Sequence, residues 1–229
     1  MGIVSKIKKY TLFFSFILFA GGCATTGSGD PRDPIEGFNR GVYSFNEGMD
    51  KVLFDPISNV YKTITPDVVD KGITNFFSNL GEIAVVANDI LQLKIDQALS
   101  DATRFIFNST IGLAGFFDVS SAVGLPKHDE DFGQTLGYWG VGPGPFIMAP
   151  FFGPTTLRDS TTLIVDAGIL NPIFYLENTA LKAGLLTLNY IDFKADLLSA
   201  KSILGEAALD EYEFIKNAYF DKRENQIAE

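Results

Sequence analysis

The sequence predicts a mainly α-helical protein, and three features of the chain support this prediction. Apolar residues recur at steps of three and four in several segments, which places them on one face of a helix. Residues typical of helix starts and helix stops bound these segments. One internal stretch, residues 137–159, is too rich in Gly and Pro for a helix, and it predicts a short hairpin or an extended loop.

The N-terminus has the three parts of a signal peptide. Lysines precede an apolar run, residues 10–20, and Gly21 and Gly22 lead directly into Cys23. The run is shorter than the roughly 20 apolar residues that a membrane-crossing helix needs. We therefore predict a cleaved signal peptide at residues 1–22.

The position of Cys23 resembles the lipobox of bacterial lipoproteins, in which that Cys is acylated and becomes the first residue. Two or three acyl chains anchor a protein stably, because each buried methylene contributes about 0.8 kcal/mol. The alternative is an incidental Cys behind an ordinary cleavage site. Ala24 resembles an outer-membrane sorting signal, residues 23–32 are predicted to be a flexible linker, and residues 33–229 are predicted to form one domain.

The charge balance argues against nucleic acid as a partner. Removing the three lysines that precede Cys23 leaves 15 basic and 28 acidic residues, a formal charge of −13. The chain also contains 21 Phe, and its mean hydropathy is +0.16. Composition leaves open whether these residues form a Phe-rich core or an apolar surface that faces lipid.

The first helix is predicted to start at Asp33, a good N-cap, with Pro34 at the first helical position. Pro56 is expected to break or kink this helix. Its apolar stripe consists of Phe38, Val42, Phe45, Met49 and Val52.

Further helices follow along the chain. One is predicted to begin at Thr65 and to end at Gly81, a second to cover residues 82–93, and a third to run from about residue 96 and to end or bend at glycines near residue 115. A later helix is predicted from Thr156 up to Pro172, and the C-terminal part, residues 181–223, is also predicted to be helical.

No motif for catalysis, cofactor binding or metal binding is found. The single histidine, His128, lies in a polar acidic loop and is expected to be a surface residue. The carboxylate pairs Glu82 with Asp89 and Asp129 with Asp131 are interpreted as solvated or capping residues, because nothing places them against a nucleophile. We expect no enzymatic activity.

Several unusual strings in a fixed order resemble the MlaA (VacJ) family of phospholipid-binding lipoproteins. They are DPIEGFNRGVYSFN, NFFSNL, RFIFNSTIGLAGFFDV, EDFGQTLGYWGVGPGPF and PFFGPTTLRD. The resemblance implies a ring of short amphipathic helices embedded in the outer membrane around a polar central channel. It also implies partners: phospholipids, a trimeric outer-membrane porin and a periplasmic lipid carrier. The implied function is removal of mislocalised phospholipid from the outer leaflet, which maintains lipid asymmetry.

The resemblance also implies roles for residues. Asn39, Arg40, Phe45 and Asn46 would set the geometry or gating of the channel, although helix packing explains Asn39 and Arg40 equally well and a core position is favoured for Phe45. The residues Gly142, Gly144 and Pro145 would shape a mobile loop, against the alternative of a rigid turn. This sequence departs from the family pattern at LQLK, residues 91–94, and at Lys194.

A second hypothesis is a structural adapter that binds a porin and transports nothing, motivated by the apolar segment 146–152. A phospholipase is the third and weakest hypothesis.

Overall fold

The computed structural model describes residues 29–228, so the predicted signal peptide and Cys23 lie outside the described residues. The α-helices are α1 (Glu36–Met49), α2 (Asp55–Ile64), α3 (Asp67–Leu91), α4 (Ile95–Thr110), α5 (Val119–Ala122), α6 (Phe132–Tyr138), α7 (Thr161–Ile164), α8 (Thr179–Ala207) and α9 (Glu211–Ala228). Short π-helical turns occupy Asp50–Phe54 and Val165–Ile169, a 3₁₀ turn occupies Pro172–Tyr175, and the strands are β1 (Phe146–Ala149) and β2 (Gly153–Thr156). The prediction of a mainly helical protein with a short hairpin is confirmed.

The predicted break at Pro56 is a widened turn between α1 and α2. Pro56 has no N–H to donate, and its ring would clash with the carbonyl four residues earlier in a regular helix. The π-helical turn before Pro56 avoids this clash, because there the N–H of Asp55 bonds to the carbonyl of Asp50, five residues back. The predicted N-cap was wrong, because α1 starts at Glu36 and Asp33 is buried among other partners.

The prediction of two helices on either side of Gly81 was wrong. The segment forms one helix of 25 residues, α3, which runs through Gly81 without interruption. A Gly inside a helix costs about 1 kcal/mol relative to Ala. Packing of α3 along α4 outweighs this cost, and the contact between these two helices is the most extensive one in the described structure.

The turns at both ends of α4 contain left-handed residues. Leu93 has a φ of 63° in the turn that precedes α4, at the position where the departure LQLK was noted. After α4 ends at Thr110, the left-handed residues Leu113, Ala114 and Gly115 reverse the chain, with φ of 54°, 58° and 90°. The predicted end near the glycines is therefore confirmed. Non-glycine residues adopt this conformation at a cost, so the surrounding packing must hold the turns in place.

The Gly- and Pro-rich stretch forms the predicted hairpin. β1 and β2 are antiparallel, with Phe146 opposite Thr156 and Ala149 opposite Gly153. The helix predicted from Thr156 starts later, at Thr161, because Thr156 ends β2 and its hydroxyl accepts a hydrogen bond from the N–H of Asp159 at 3.2 Å. The predicted C-terminal helical region is confirmed as α8 and α9.

Contacts between the elements close a ring. α1 continues into α2, α2 packs against α8, α8 against α3, α3 against α6, α6 against α9, α9 against β2, and β1 against α1. None of the described helices is both long enough and apolar enough to cross a bilayer.

Candidate functional site

The polarity of the described chain is inverted relative to a soluble protein. Among residues 29–228, 25 polar or charged residues are buried and only eight apolar residues are buried. Of the apolar stripe predicted for the first helix, Phe38, Phe45 and Val52 are exposed, Val52 at 82%, whereas the other two members are half-buried. On α2, Val60 and Ile64 are also exposed. Because soluble monomers bury such residues, this surface is suited to contact with hydrocarbon.

A cavity of about 680 Å³ lies between α1, the π-helical turn that follows it, α2, the hairpin, α8 and α9. Its walls are amphipathic. The apolar part includes Met148, Phe151, Phe152, Leu197, Leu198, Leu204 and Ile215. The charged part is Glu47, Asp50, Lys51, Asp55, Lys194, Lys201 and Glu211. Its volume falls within the range of ligand-binding cavities, and the mixture of surfaces suits a ligand with a charged end and an apolar end.

A buried ion-pair cluster forms one wall of this cavity. The Lys194 ammonium donates to both carboxylate oxygens of Asp50, at 2.8 and 3.1 Å, and Lys201 donates to Asp50 at 2.9 Å. Burial lowers the pKa of Lys201, but the carboxylates of Asp50, Glu47 and Asp55 outweigh burial and raise it. Lys201 therefore stays cationic. Lys194, one of the departures from the family pattern, is thus a full partner in an ion pair.

Two asparagines on one face of α1 hold the hairpin that borders the cavity. The Asn39 side chain donates to the carbonyl of Phe146 at 3.0 Å and accepts from the N–H of Met148 at 2.9 Å. One heptad later, the Asn46 side chain donates to the carbonyl of Ala149 at 3.1 Å and accepts from the N–H of Phe151 at 2.9 Å. Each amide thus bonds a backbone C=O and the N–H two residues later, as a neighbouring strand would.

The other two residues predicted from the first helix have different surroundings. The guanidinium of Arg40 pairs with Glu36 at 2.7 Å and with Asp210 at 2.9 Å, and it stacks over the Tyr212 ring at 4.4 Å. Arg40 thus ties α1 to the start of α9, away from the cavity lining. The core position favoured for Phe45 was wrong, because its side chain is exposed and meets the Phe151 ring edge to face.

The loop predicted to be mobile lies between α6 and β1, outside the cavity lining. Gly144 has a φ of 69°, which favours glycine. The carbonyl of Pro145 accepts from the N–H of Leu157 at 3.1 Å, so the loop extends the hairpin ladder. Gly142 is exposed beside it. Mobility of this loop stays a prediction.

The apolar segment that motivated the adapter hypothesis is buried or half-buried over its first four residues and exposed at Pro150, Phe151 and Phe152. Phe146 and Met148 are 0% and 1% exposed and pack with Tyr212 and Phe220 of α9 in the apolar cluster of the described residues. Only the tip of the hairpin, with Phe152, is well exposed.

A second polar cluster fills the space between α3 and α4. Glu82, Asp89 and Asp101 are each at most 2% exposed. Burial and then the neighbouring Asp101 raise the pKa of Asp89 to about 7, and the same causes raise that of Glu82 to about 7. The interpretation of Glu82 and Asp89 as solvated or capping residues was therefore wrong, because both carboxylates are buried where α3 packs against α4.

The remaining acidic pair and the histidine lie just before the start of α6. Asp131 caps α6 by accepting from the N–H of Gln134 at 2.8 Å, and Asp129 is exposed, as predicted. His128 is only partly exposed, and its Nδ1 lies 2.8 Å from a carboxylate oxygen of buried Asp101. The expectation of a plain surface histidine was therefore wrong.

A family model described as MlaA lipoprotein matches residues 31–226. The chain belongs to the MlaA lipoprotein family. Among its relatives is an intermembrane phospholipid transport system lipoprotein MlaA of Escherichia coli (strain K12), 34% identical over 210 residues, which cover 89% of this chain and 82% of the relative.

Other members of the family match over a similar length. The intermembrane phospholipid transport system lipoprotein MlaA of Shigella flexneri is 35% identical over 89% of this chain and 82% of its own length. An uncharacterized protein of Rickettsia felis (strain ATCC VR-1525 / URRWXCal2) is 34% identical over 91% of this chain and 83% of its own length. The family model, which matches residues 31–226, includes the residues that border the cavity.

A solved structure agrees at the level of the fold. It comes from work on the structural basis for maintenance of bacterial outer membrane lipid asymmetry, and it matches with a TM-score of 0.74 and 31% sequence identity. The match covers 85% of this chain and 98% of that chain. The helical ring is therefore the architecture of the family rather than a peculiarity of this sequence.

Of the residues singled out from the sequence, Asn46 lines the cavity, but most of the other lining residues were not predicted. Glu47 and Asp50 lie about one turn apart around the end of α1, Lys194 and Lys201 lie about two turns apart on α8, and no local motif connects these distant segments. A signal was present on α1, where polar residues recur at positions 36, 39, 43, 46, 47 and 50, opposite the apolar stripe.

Proposed function

We propose that this protein is an outer-membrane lipoprotein, anchored through acylated Cys23, that removes mislocalised phospholipid from the outer leaflet and passes it toward a periplasmic lipid carrier. The inverted polarity of the ring is the observation that carries the proposal. An apolar outer surface is compatible with acyl chains around the ring, while the amphipathic cavity offers charged groups to a headgroup. The names of the E. coli and S. flexneri relatives support the same transport role.

The proposal assigns a role to each part of the molecule. Helices such as α2 lie in the bilayer with Val60 and Ile64 toward lipid. The cavity provides the polar path, and Asn46 keeps the hairpin tip in position beside it. A trimeric porin is the proposed neighbour in the membrane, and loop 139–145 offers Trp139, 59% exposed, to such a partner. Catalysis plays no part in the proposal.

The first experiment measures phospholipid in the outer leaflet of cells that lack the gene. We expect a rise on deletion that is reversed by the wild-type chain and not by Cys23→Ala. Absence of a rise would favour the adapter hypothesis and contradict the transport role.

A second experiment tests the position of the ring in the bilayer. Replacing Val60 and Ile64 together with Glu places two charges on the surface proposed to face lipid, where each costs a few kcal/mol. The matched control replaces Asn59 and Thr63, exposed polar residues of the same helix, with Glu. We expect only the Val60 and Ile64 pair to abolish function and to weaken the association of the protein with the membrane, measured by extraction. Equal effects of both pairs would refute the embedded orientation.

A further inference from the structure

The cavity contains one cation and one anion that are poorly neutralised. Lys194 and Lys201 are engaged by Asp50 at 2.8 and 2.9 Å. Lys51, in contrast, is 74% exposed at its side chain, and its ion pair with Glu47 is long, at 3.9 Å. Its ammonium is therefore available to a further acceptor.

The anion is Glu211, at the start of α9. Its carboxylate accepts a hydrogen bond from the Tyr43 hydroxyl at 2.5 Å. Among the residues that the structure describes, no Lys or Arg nitrogen is recorded within 4.0 Å of it, although it lines the same cavity as Lys51. Glu211 is thus an accessible carboxylate without a cation in the described chain.

The two groups are offset along α1. Tyr43, the partner of Glu211, and Glu47, the partner of Lys51, are four residues apart and so separated by about one helical turn, roughly 6 Å along the axis. A ligand with a phosphate and an ammonium on a short linker can approach both groups at once. A lipid whose headgroup is only anionic leaves Glu211 unmatched, and the cavity carries four carboxylates against three ammonium groups.

We propose that the cavity prefers zwitterionic phospholipids with a primary ammonium headgroup, with the phosphate at Lys51 and the ammonium at Glu211. The proposal rests on the proposed function, because it assumes that the cavity receives phospholipid. The apolar wall, including Phe152 and Leu197, then receives acyl chain. A primary ammonium suits the site because it donates N–H bonds, which a carboxylate accepts.

The test uses the full-length chain, purified in nanodiscs that contain equal amounts of phosphatidylethanolamine and phosphatidylglycerol. A photocrosslinking residue replaces Phe152, and the crosslinked lipid is identified by mass spectrometry. We expect about a threefold excess of phosphatidylethanolamine over the bilayer ratio, the size expected of one partly solvated ion pair. Glu211→Gln keeps a hydrogen-bonding partner for Tyr43 and should return the ratio to that of the bilayer.

The control is Glu224→Gln, an exposed residue of the same helix outside the cavity lining, which should leave the preference unchanged. A wild-type ratio equal to that of the bilayer, or a preference that survives Glu211→Gln, would overturn the inference while total crosslinking still supported the proposed function. Absence of any crosslinked phospholipid would instead overturn the proposed function itself.

Discussion

Replacement of Asp89 with Asn is expected to stabilise the protein at pH 8 and to flatten the dependence of its stability on pH. Asp89 is fully buried against Asp101, and its pKa is raised from 3.8 to about 7 by burial and by that neighbour. Between these values the folded state holds a proton that the unfolded state has lost. Stability contributed by this group is therefore present at low pH and declines as pH rises toward 7.

The size of the effect follows from the same two pKa values. From pH 5 up to the raised pKa the folded state holds the proton over about two pH units, which at about 1.4 kcal/mol each corresponds to about 3 kcal/mol between pH 5 and pH 8. For a chain of this length that is a shift in Tm of about 10 °C. An Asn at position 89 carries no charge, and its amide can donate to Asp101.

The assay is the melting temperature of the purified protein in nonionic detergent at pH 5 and pH 8, followed by circular dichroism. Asp118→Asn is the paired variant with the opposite sign. Burial raises the pKa of Asp118, but hydrogen bonds from Ser121, Asn108 and Arg104 outweigh it and lower the pKa to about 2. Its stabilising effect is present at both pH values, so this variant should melt earlier at both. A lower Tm of Asp89→Asn at pH 8, or an unchanged pH slope, would refute the reasoning.

Three further predictions concern packing and polar contacts. Gly72→Ala should destabilise the protein by about 1–3 kcal/mol, because its new methyl group would overlap the aromatic ring of Phe116. Gly81→Ala on the same helix has open space and should stabilise the protein by about 0.5–1 kcal/mol. Equal effects of the two variants in thermal melts would contradict this reasoning. Asn46→Ala should cost about 2–3 kcal/mol and speed amide hydrogen exchange at the hairpin turn, because it removes two hydrogen bonds to the hairpin backbone. Unchanged exchange would contradict the proposed role of Asn46 in holding the hairpin. Arg223→Met should cost about 3–5 kcal/mol in chemical denaturation, because it leaves Asp131 without a cation and buried Asp159 with Arg158 alone. A loss below 1 kcal/mol would be inconsistent with this role.

The order of elements followed largely from local chemistry. The three- and four-residue spacing of apolar residues depends only on helical geometry, so the helices could be placed before any contact was known. Gly and Pro at high density exclude a helix whatever surrounds them, and the hairpin lies where they occur. Helix boundaries were predicted less accurately, because at Gly81 the packing of α3 on α4 outweighs the low helix propensity of glycine.

The direction in which each helix faces was decided by the tertiary structure. A periodic stripe has the same spacing whether it meets a protein core or a bilayer, so the sequence of α1 alone leaves its apolar face unassigned. In the folded ring the polar stripe turns inward, which buries Asn39 and Asp50 and exposes Val52.

The sequence by itself thus determined the helical class, the hairpin, the lipobox-like N-terminus and the resemblance to the family. The cavity became apparent only in the tertiary structure, because its ion pairs join Lys194 and Lys201 to Asp50, more than 140 residues away in the sequence. Local periodicity carries no information about such distant pairs. Asp50 and Lys194 are buried once the ring closes, and they pair because an unpaired charge at a buried position is costly.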